Sequence, residues 1–353
     1  MKIAQVAPLI ESVPPKWYGG SERVVSYLTE ELVQQGHDVT LYASGDSVTR
    51  ARLRPPVAHA LRLNPQRGDP LIHHFIMLEE VFKDAAAYDI IHFHVDFLHF
   101  PLSRRHAFPT LTTLHGRLDI PDLELIHRTY REMPLVSISD AQRRPLTWAN
   151  WKATVHHGLP STLYSFHPDP GGYLAFLGRI SPEKRVDRAI DIACRSGMPI
   201  KIAAKVDPVD ADYFEARIRP LLARHDVEYI GEIGEHEKNA FLGEAYALLF
   251  PIDWPEPFGL VMIEAMACGT PVIAYDHGAV SEVMEDGITG YVVDDLDTAV
   301  SAVERVAGLD RQACRDCFER RFSVSRMAND YMDVYRRMLS VRSVDMAVPQ
   351  LAG

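Results

Sequence analysis

Short apolar runs alternate along this chain with stretches whose apolar residues recur every three or four positions, the pattern of strands and amphipathic helices in series. Ile3 to Ala7 is such a run. Val24, Val25, Leu28 and Leu32 then mark one face of a helix ended by Gly36, and Val39 to Ala43 is the next run. A strand–helix–strand unit implies a right-handed crossover and a parallel sheet. Further strands are expected at Asp89–His94, Thr110–Leu114 and Leu135–Asp140, each ending in polar residues, where open α/β sheets place their sites. A helix is expected around Ile76–Ala87, and residues 46–70, rich in Arg and Pro, read as a connection.

Pro160, Pro168, Pro170, Gly171 and Gly172 mark a linker, after which the alternation resumes. Tyr173–Leu177 reads as a strand, Gly178-Arg179-Ile180 as a turn, Ser181 as an N-cap and Pro182 as the first helical residue. Ile200–Ala204 and Val227–Ile230 read as strands and Tyr213–Ala223 as a helix. A last helix carries Tyr331, Val334 and Met338 on one face. The expected domains are 1–162 and 172–326, with residues 327–342 returning to complete the first and 343–353 forming a disordered tail.

Length and composition narrow the classes. The 353 residues suffice for two domains with sizeable cores, and 47% hydrophobic with 24% charged residues is ordinary for a soluble protein. A net charge of -11 argues against nucleic acid as a partner while leaving room for local basic sites. No apolar run is long enough for a transmembrane segment, and the opening residues lack a signal-peptide pattern, so a cytoplasmic location is expected. Four cysteines are too few for a disulfide scaffold; Cys314 and Cys317, in a polar helical stretch, read as ordinary thiols.

The densest chemistry lies between Pro255 and Gly269. Two prolines hold Glu256 in an extended loop; the helical pattern starts at Leu260, carries Glu264 inside it and closes on Gly269. The N–H groups of Phe258, Gly259 and Leu260 are the open donors of a helix start, with the positive end of the dipole behind them. Two carboxylates flanking such donors suit a ligand with hydroxyl pairs at both ends and negative charge between, the layout of a nucleotide sugar. The same spacing also fits a plain buried helix with a glutamate at its edge. Gly19-Gly20, after the first strand, offers a second bare-backbone approach to an anion, or a simple turn capped by Ser21. The aromatics Trp17 and Tyr18 beside it are candidates for an acceptor platform. Arg179 and Lys184, on either side of the Gly178 turn, can aim two cations at a diphosphate, or stand as ordinary surface charges. His92, His94, His99 and His115 invite a metal reading, but no cysteine or carboxylate set completes a ligand pattern. Asp210-Ala-Asp212 reads as helix capping and not as a metal clamp.

These motifs together resemble the retaining, GT-B-fold glycosyltransferases of family 4. The Glu256-x7-Glu264 segment matches that family's signature, Leu177-Gly-Arg-Ile-Ser-Pro-Glu-Lys184 its donor-phosphate motif, Gly19-Gly20 its N-terminal glycine loop and His115-Gly116 its Thr-x-His-Gly. The resemblance implies two Rossmann-like domains facing across a cleft, with a C-terminal helix crossing back to the first. It implies transfer of a sugar from a nucleoside diphosphate, UDP or GDP, to a hydroxyl of a small-molecule, lipid or glycan acceptor, with retained anomeric configuration. On that reading Glu256 faces the transferred sugar, Glu264 holds the ribose, Arg179 and Lys184 hold the phosphates, and His115 reaches the sugar. No metal and no cofactor is required. The stretch Gly278–Val293 resembles a hairpin-like segment of the family, and His157 stands where that family has Asn. Rival readings are another GT-B enzyme, such as a nucleotide-sugar epimerase or a glycan phosphorylase, and a nucleotide-sugar binder without catalysis; a phosphorylase would need a pyridoxal-phosphate lysine and usually a much longer chain.

Overall fold

The computed structural model describes residues 1–17, 19–62, 64 and 68–347, the last seven as backbone alone. The chain forms two compact units. The first comprises residues 1–138, 143–158 and the helix from Val324; the second comprises 139–142 and 159–323.

The first unit is built on seven parallel strands: β1 (Lys2–Val6), β2 (Asp38–Tyr42), β3 (Arg52–Arg54), β4 (Ile90–Phe93), β5 (Thr110–Thr113), β6 (Leu135–Ser137) and β7 (Trp151–Thr154), in the order β3-β2-β1-β4-β5-β6-β7. β1, β4 and β5 are buried almost throughout, because helices cover both faces of a parallel sheet. The helix Gly20–Gln34 buries Val24, Val25, Leu28 and Leu32 as its spacing requires. The helix Val324–Ala347 lays Met327, Ala328, Tyr331, Met332 and Tyr335 into the same unit. The tail expected from residue 343 is thus helical as far as Ala347, and residues 348–353 lie outside the described residues.

The second unit repeats the design with β8 (Leu174–Ile180), β9 (Ile200–Val206), β10 (Val227–Gly231), β11 (Ala247–Phe250), β12 (Val272–Tyr275) and β13 (Gly290–Val293), ordered β10-β9-β8-β11-β12-β13. The strand order reverses between β1 and β4 in one sheet and between β8 and β11 in the other. Loops leave such a switch point toward opposite faces, so the C-terminal ends of those strands are where an open sheet receives a ligand.

Several local expectations are corrected. Gly178 and Arg179 do not turn; they continue β8, paired with Ala204 and Lys205 of β9. The following helix begins at Val186 and not at Pro182, because Ser181–Lys184 forms a separate turn and Arg185 adopts the left-handed conformation at φ 54°. Tyr213–Ala223 is not one helix but a short α, π and 3₁₀ succession. Gly278–Val293 is no hairpin: it holds a helical turn, Val280–Val283, and β13, which runs parallel to β12. The proline-rich segment after Gly158 is a strap on the second unit. The Leu159 N–H donates to the Phe322 carbonyl at 2.8 Å and the His167 N–H to Cys268 at 3.0 Å. Arg315 donates to the carbonyls of Ser161 and Tyr164, and buried Arg311 to those of His167, Gly243 and Ala245. Among the described residues no helix is long and apolar enough to cross a membrane.

Candidate active site

In the second unit the site grows out of the switch point. β11 ends at Phe250, and the chain runs through Trp254-Pro-Glu-Pro into the helix Leu260–Cys268. Gly278 makes this loop possible. Its φ is 66°, and a Cβ there would fall 2.3 Å from the backbone N and O of Glu256. The Ala279 N–H then donates to the Glu256 carbonyl at 2.9 Å. Glu256 is buried, and both its side-chain contacts fall on Oε2: the Lys184 ammonium, and the Trp254 Nε1–H at 3.1 Å. Lys184 Nζ also lies 4.8 Å from the centre of the Trp254 ring, so the cation is held by a carboxylate and an aromatic face together.

Gly259 is the N-cap, left-handed at φ 85°, and a Cβ there would meet Met262 Cε at 2.7 Å. A glycine cap brings no side-chain acceptor, so the first-turn N–H groups keep their capacity for an anion, reinforced by the dipole. Phe258 is buried edge-on against Phe322, 6.0 Å between ring centres; its side chain anchors the loop while its backbone stands at the helix mouth. One turn in, Glu264 is 3% exposed. Lys238, on the helix Glu235–Gly243, donates to its Oε1 at 2.8 Å. The sequence reading missed Lys238, because the pair joins residues of two separate helices and leaves no spacing to read.

Arg179 and Lys184 have separate partners. Arg179, 31% exposed at its side chain, is paired with Glu183 and lies 3.7 Å from the carboxylates of both Asp207 and Asp210. Asp210 therefore faces a cation, and its side chain caps no helix. The structure unites Lys184 with Glu256 rather than with Arg179.

In the first unit, Gly19 is the N-cap of the helix Gly20–Gln34; Ser21 is not its cap. A Cβ on Gly19 would meet Pro15 Cβ at 2.8 Å, so the loop requires glycine for close packing. Arg23 donates to the Trp17 carbonyl at 2.8 Å, leaving the Trp17 side chain 42% exposed. Tyr18 lies outside the described residues. Glu22, in the first turn, is buried, and burial pushes its carboxyl up to about 7.

The histidines form hydrogen-bonded rows. His92 joins the Tyr335 hydroxyl at 2.7 Å and the Thr113 hydroxyl at 2.7 Å; His99 joins Ser103 and Thr112. His94 contacts the Gln5 side-chain amide oxygen at 2.8 Å through Nε2 and His115 Nε2 at 2.9 Å through Nδ1. His115 stacks on His157, with ring centres 5.4 Å apart and planes 19° apart. His157 thus supplies a ring that fixes the plane of His115. Burial drives these imidazoles toward neutrality: His115 down to about 4, His99 to about 3, and His92, His94 and His157 well below their usual range. Among the described residues no cluster of side chains is arranged to hold a metal ion.

Comparison with known proteins gives this arrangement its class. The family model Glycosyltransferase Family 4 matches residues 18–157, and Glycosyl transferases group 1 matches residues 165–312. The phosphatidyl-myo-inositol mannosyltransferase of Mycobacterium leprae is 25% identical over 375 residues, covering 95% of this chain and 96% of that protein. The crystal structure of AviGT4, a glycosyltransferase involved in avilamycin A biosynthesis, superposes with a TM-score of 0.73 at 24% identity, over 96% of this chain and 98% of that one. That of Anabaena HepE in complex with UDP and glucose also gives 0.73, at 17% identity, over 95% and 99%. Two parallel sheets with a returning C-terminal helix are thus the GT-B fold, and the protein is a glycosyltransferase. Within that class the chain belongs to glycosyltransferase family 4.

Proposed function

We propose that the protein transfers a sugar from a nucleoside-diphosphate sugar, UDP- or GDP-linked, to an acceptor hydroxyl with retention of anomeric configuration and without a metal ion. One observation carries the reading. A glycine-capped helix start at the β8/β11 switch point is flanked by two buried carboxylates, Glu256 and Glu264, each held by its own lysine. The helix N–H groups and Lys184 suit the diphosphate, and neutralising the leaving group is the main electrostatic demand of such a transfer. Glu264 suits the ribose hydroxyls and Glu256 those of the transferred sugar. Arg179, with three carboxylates around it, exchanges them for phosphate oxygens when the donor arrives. His115 suits a hydroxyl of the sugar substrate. The UDP and glucose of the HepE structure support a uridine donor by analogy of fold.

The test is turnover of a panel of UDP- and GDP-sugars with simple alcohol, lipid and glycan acceptors, followed by mass spectrometry and by NMR of the product's anomeric proton. An α-linked product from an α-linked donor is expected. Inverted product would remove the retaining assignment. Release of nucleotide with no dependence on any acceptor would remove the transfer itself.

A further inference from the structure

We infer that Gln5, His94 and Tyr335 are positioning residues that hold His115 in the tautomer whose bare Nδ1 accepts a hydrogen bond from a substrate hydroxyl. This rests on the reading of His115 as a substrate contact, and it assigns work to three residues inside the first unit that never touch substrate.

Gln5 lies on β1, a buried polar side chain between apolar Ala4 and Val6. Its amide nitrogen donates to the Tyr335 hydroxyl at 3.2 Å, which turns its carbonyl oxygen to His94 Nε2 at 2.8 Å. A carbonyl oxygen only accepts, so His94 Nε2 carries the hydrogen. A neutral imidazole has one donor and one acceptor, so His94 Nδ1 is bare. Its partner at 2.9 Å, His115 Nε2, must then donate. His115 is itself neutral, which leaves Nδ1 with a lone pair, and that atom is screened from solvent and meets no hydrogen-bond partner among the described residues. An unsatisfied acceptor of this kind is costly unless a ligand completes it. His115 as a residue is half-buried, in the loop after β5, where the sheet opens to ligands.

The row is anchored beyond Gln5. The Tyr335 hydroxyl, having accepted from Gln5, donates to His92 Nδ1; His92 Nε2 then donates to Thr113, which also meets the Tyr331 hydroxyl at 2.9 Å. Every link points the same way, so one reversed amide at Gln5 would reverse His94 and His115 with it and turn Nδ1 into a donor. Stacking of His157 on His115 holds the ring plane in which that lone pair is directed.

The test combines histidine ¹⁵N spectroscopy with kinetics. In the ligand-free protein labelled at histidine, His94 and His115 should both show protonated Nε2 and bare Nδ1. Adding the donor that turns over in the panel should shift His115 Nδ1, and the bare nucleoside diphosphate should not. Gln5→Leu should mix the two tautomers of His115 and lower kcat by roughly tenfold, about 1.4 kcal/mol in the barrier, with little change in KM. Gln5→Glu, which keeps an acceptor facing His94, should restore most of the rate. Tyr335→Phe gives a second route to the same mixing should Gln5→Leu fail to fold. A protonated Nδ1 on His115 in the wild-type protein overturns the inference while leaving sugar transfer intact. The expected tautomers in a protein that turns over no donor leave the row standing and sink the functional reading instead. Equal kcat in Gln5→Leu and wild type, with the tautomers mixed, overturns the role in catalysis.

Discussion

Around the helix Leu260–Cys268 the buried polar groups are charged and held in ion pairs, Glu256 with Lys184 and Glu264 with Lys238, which also meets Glu235 at 3.5 Å. Around His115 they are neutral and joined in series, from Tyr335 through Gln5 and His94. The difference decides how each half fails. A buried ion pair stripped of one partner leaves an uncompensated charge, so its loss is local and severe. A neutral row stripped of one member keeps its neighbours hydrogen-bonded but frees their proton positions, so its loss is mild in stability and felt at the far end.

The largest expected effect that sharpens this contrast is acid sensitivity confined to the first unit. His92, His94, His99, His115 and His157 all have folded values below the unfolded one. Their stabilising contribution is therefore complete above about 6.5 and is lost progressively as the pH falls below it toward their folded values. Glu22 works in the other direction: raised to about 7, it contributes fully below the unfolded carboxylate value and loses that contribution as the pH rises through 7. It offsets part of the histidine loss. Hydrogen exchange at pH 5.5, corrected for intrinsic rates, should open peptides of β4 and β5 before those of β11 and β12. Opening in the reverse order breaks the comparison.

Next in size is Lys238→Met, which leaves Glu264 buried and unpaired and should cost about 3–5 kcal/mol in chemical denaturation. Adding Glu264→Gln to it should recover most of that loss. If the single variant is as stable as wild type, the pair is not a buried one. Smaller again are the two glutamates compared by calorimetry. Glu264→Gln should weaken nucleoside diphosphate and intact donor alike, by about 1.5–3 kcal/mol. Glu256→Gln should spare the nucleotide and lower turnover. Equal weakening of the bare nucleotide by both would merge roles that the proposal keeps apart. The smallest expected effect is none: excess EDTA should leave turnover unchanged, and activity restored by Mg²⁺ after chelation would reject the assignment of charge neutralisation to lysine, arginine and helix N–H groups.

Much of this site is written locally and was legible. The prolines at 255 and 257 and the left-handed Gly269 bound one loop and one helix, and the helix runs over Leu260–Cys268 as its spacing predicts. What could not be read is non-local. Lys238 meets Glu264 only after two helices pack, and Gln5 looks like one more residue of an apolar strand until Tyr335 arrives from the other end of the chain. Local signals also misled where a strained residue intervened. Ser181-Pro182 has the composition of a helix start, yet left-handed Arg185, held by Asp187 and Asp253, delays the helix to Val186. Proline and glycine content suggested a free linker after residue 160; the arginines that pin it come from a helix well over a hundred residues later.

The strap and the closing helix also bear on how the protein is made. The second unit is essentially one uninterrupted stretch, entered at Leu159 and left at Ser323, and those two residues pair with each other in a β-bridge. A ribosome delivers all of that stretch before it delivers Tyr331 and Tyr335. Although its strands are translated first, the first unit must wait with Gln5, His92 and Thr113 lacking the phenol groups that satisfy them. Domains tend to fold as units as they emerge. Here the order of birth and the order of completion are reversed, and a chain released before Val324 would carry a finished second unit behind an unfinished first.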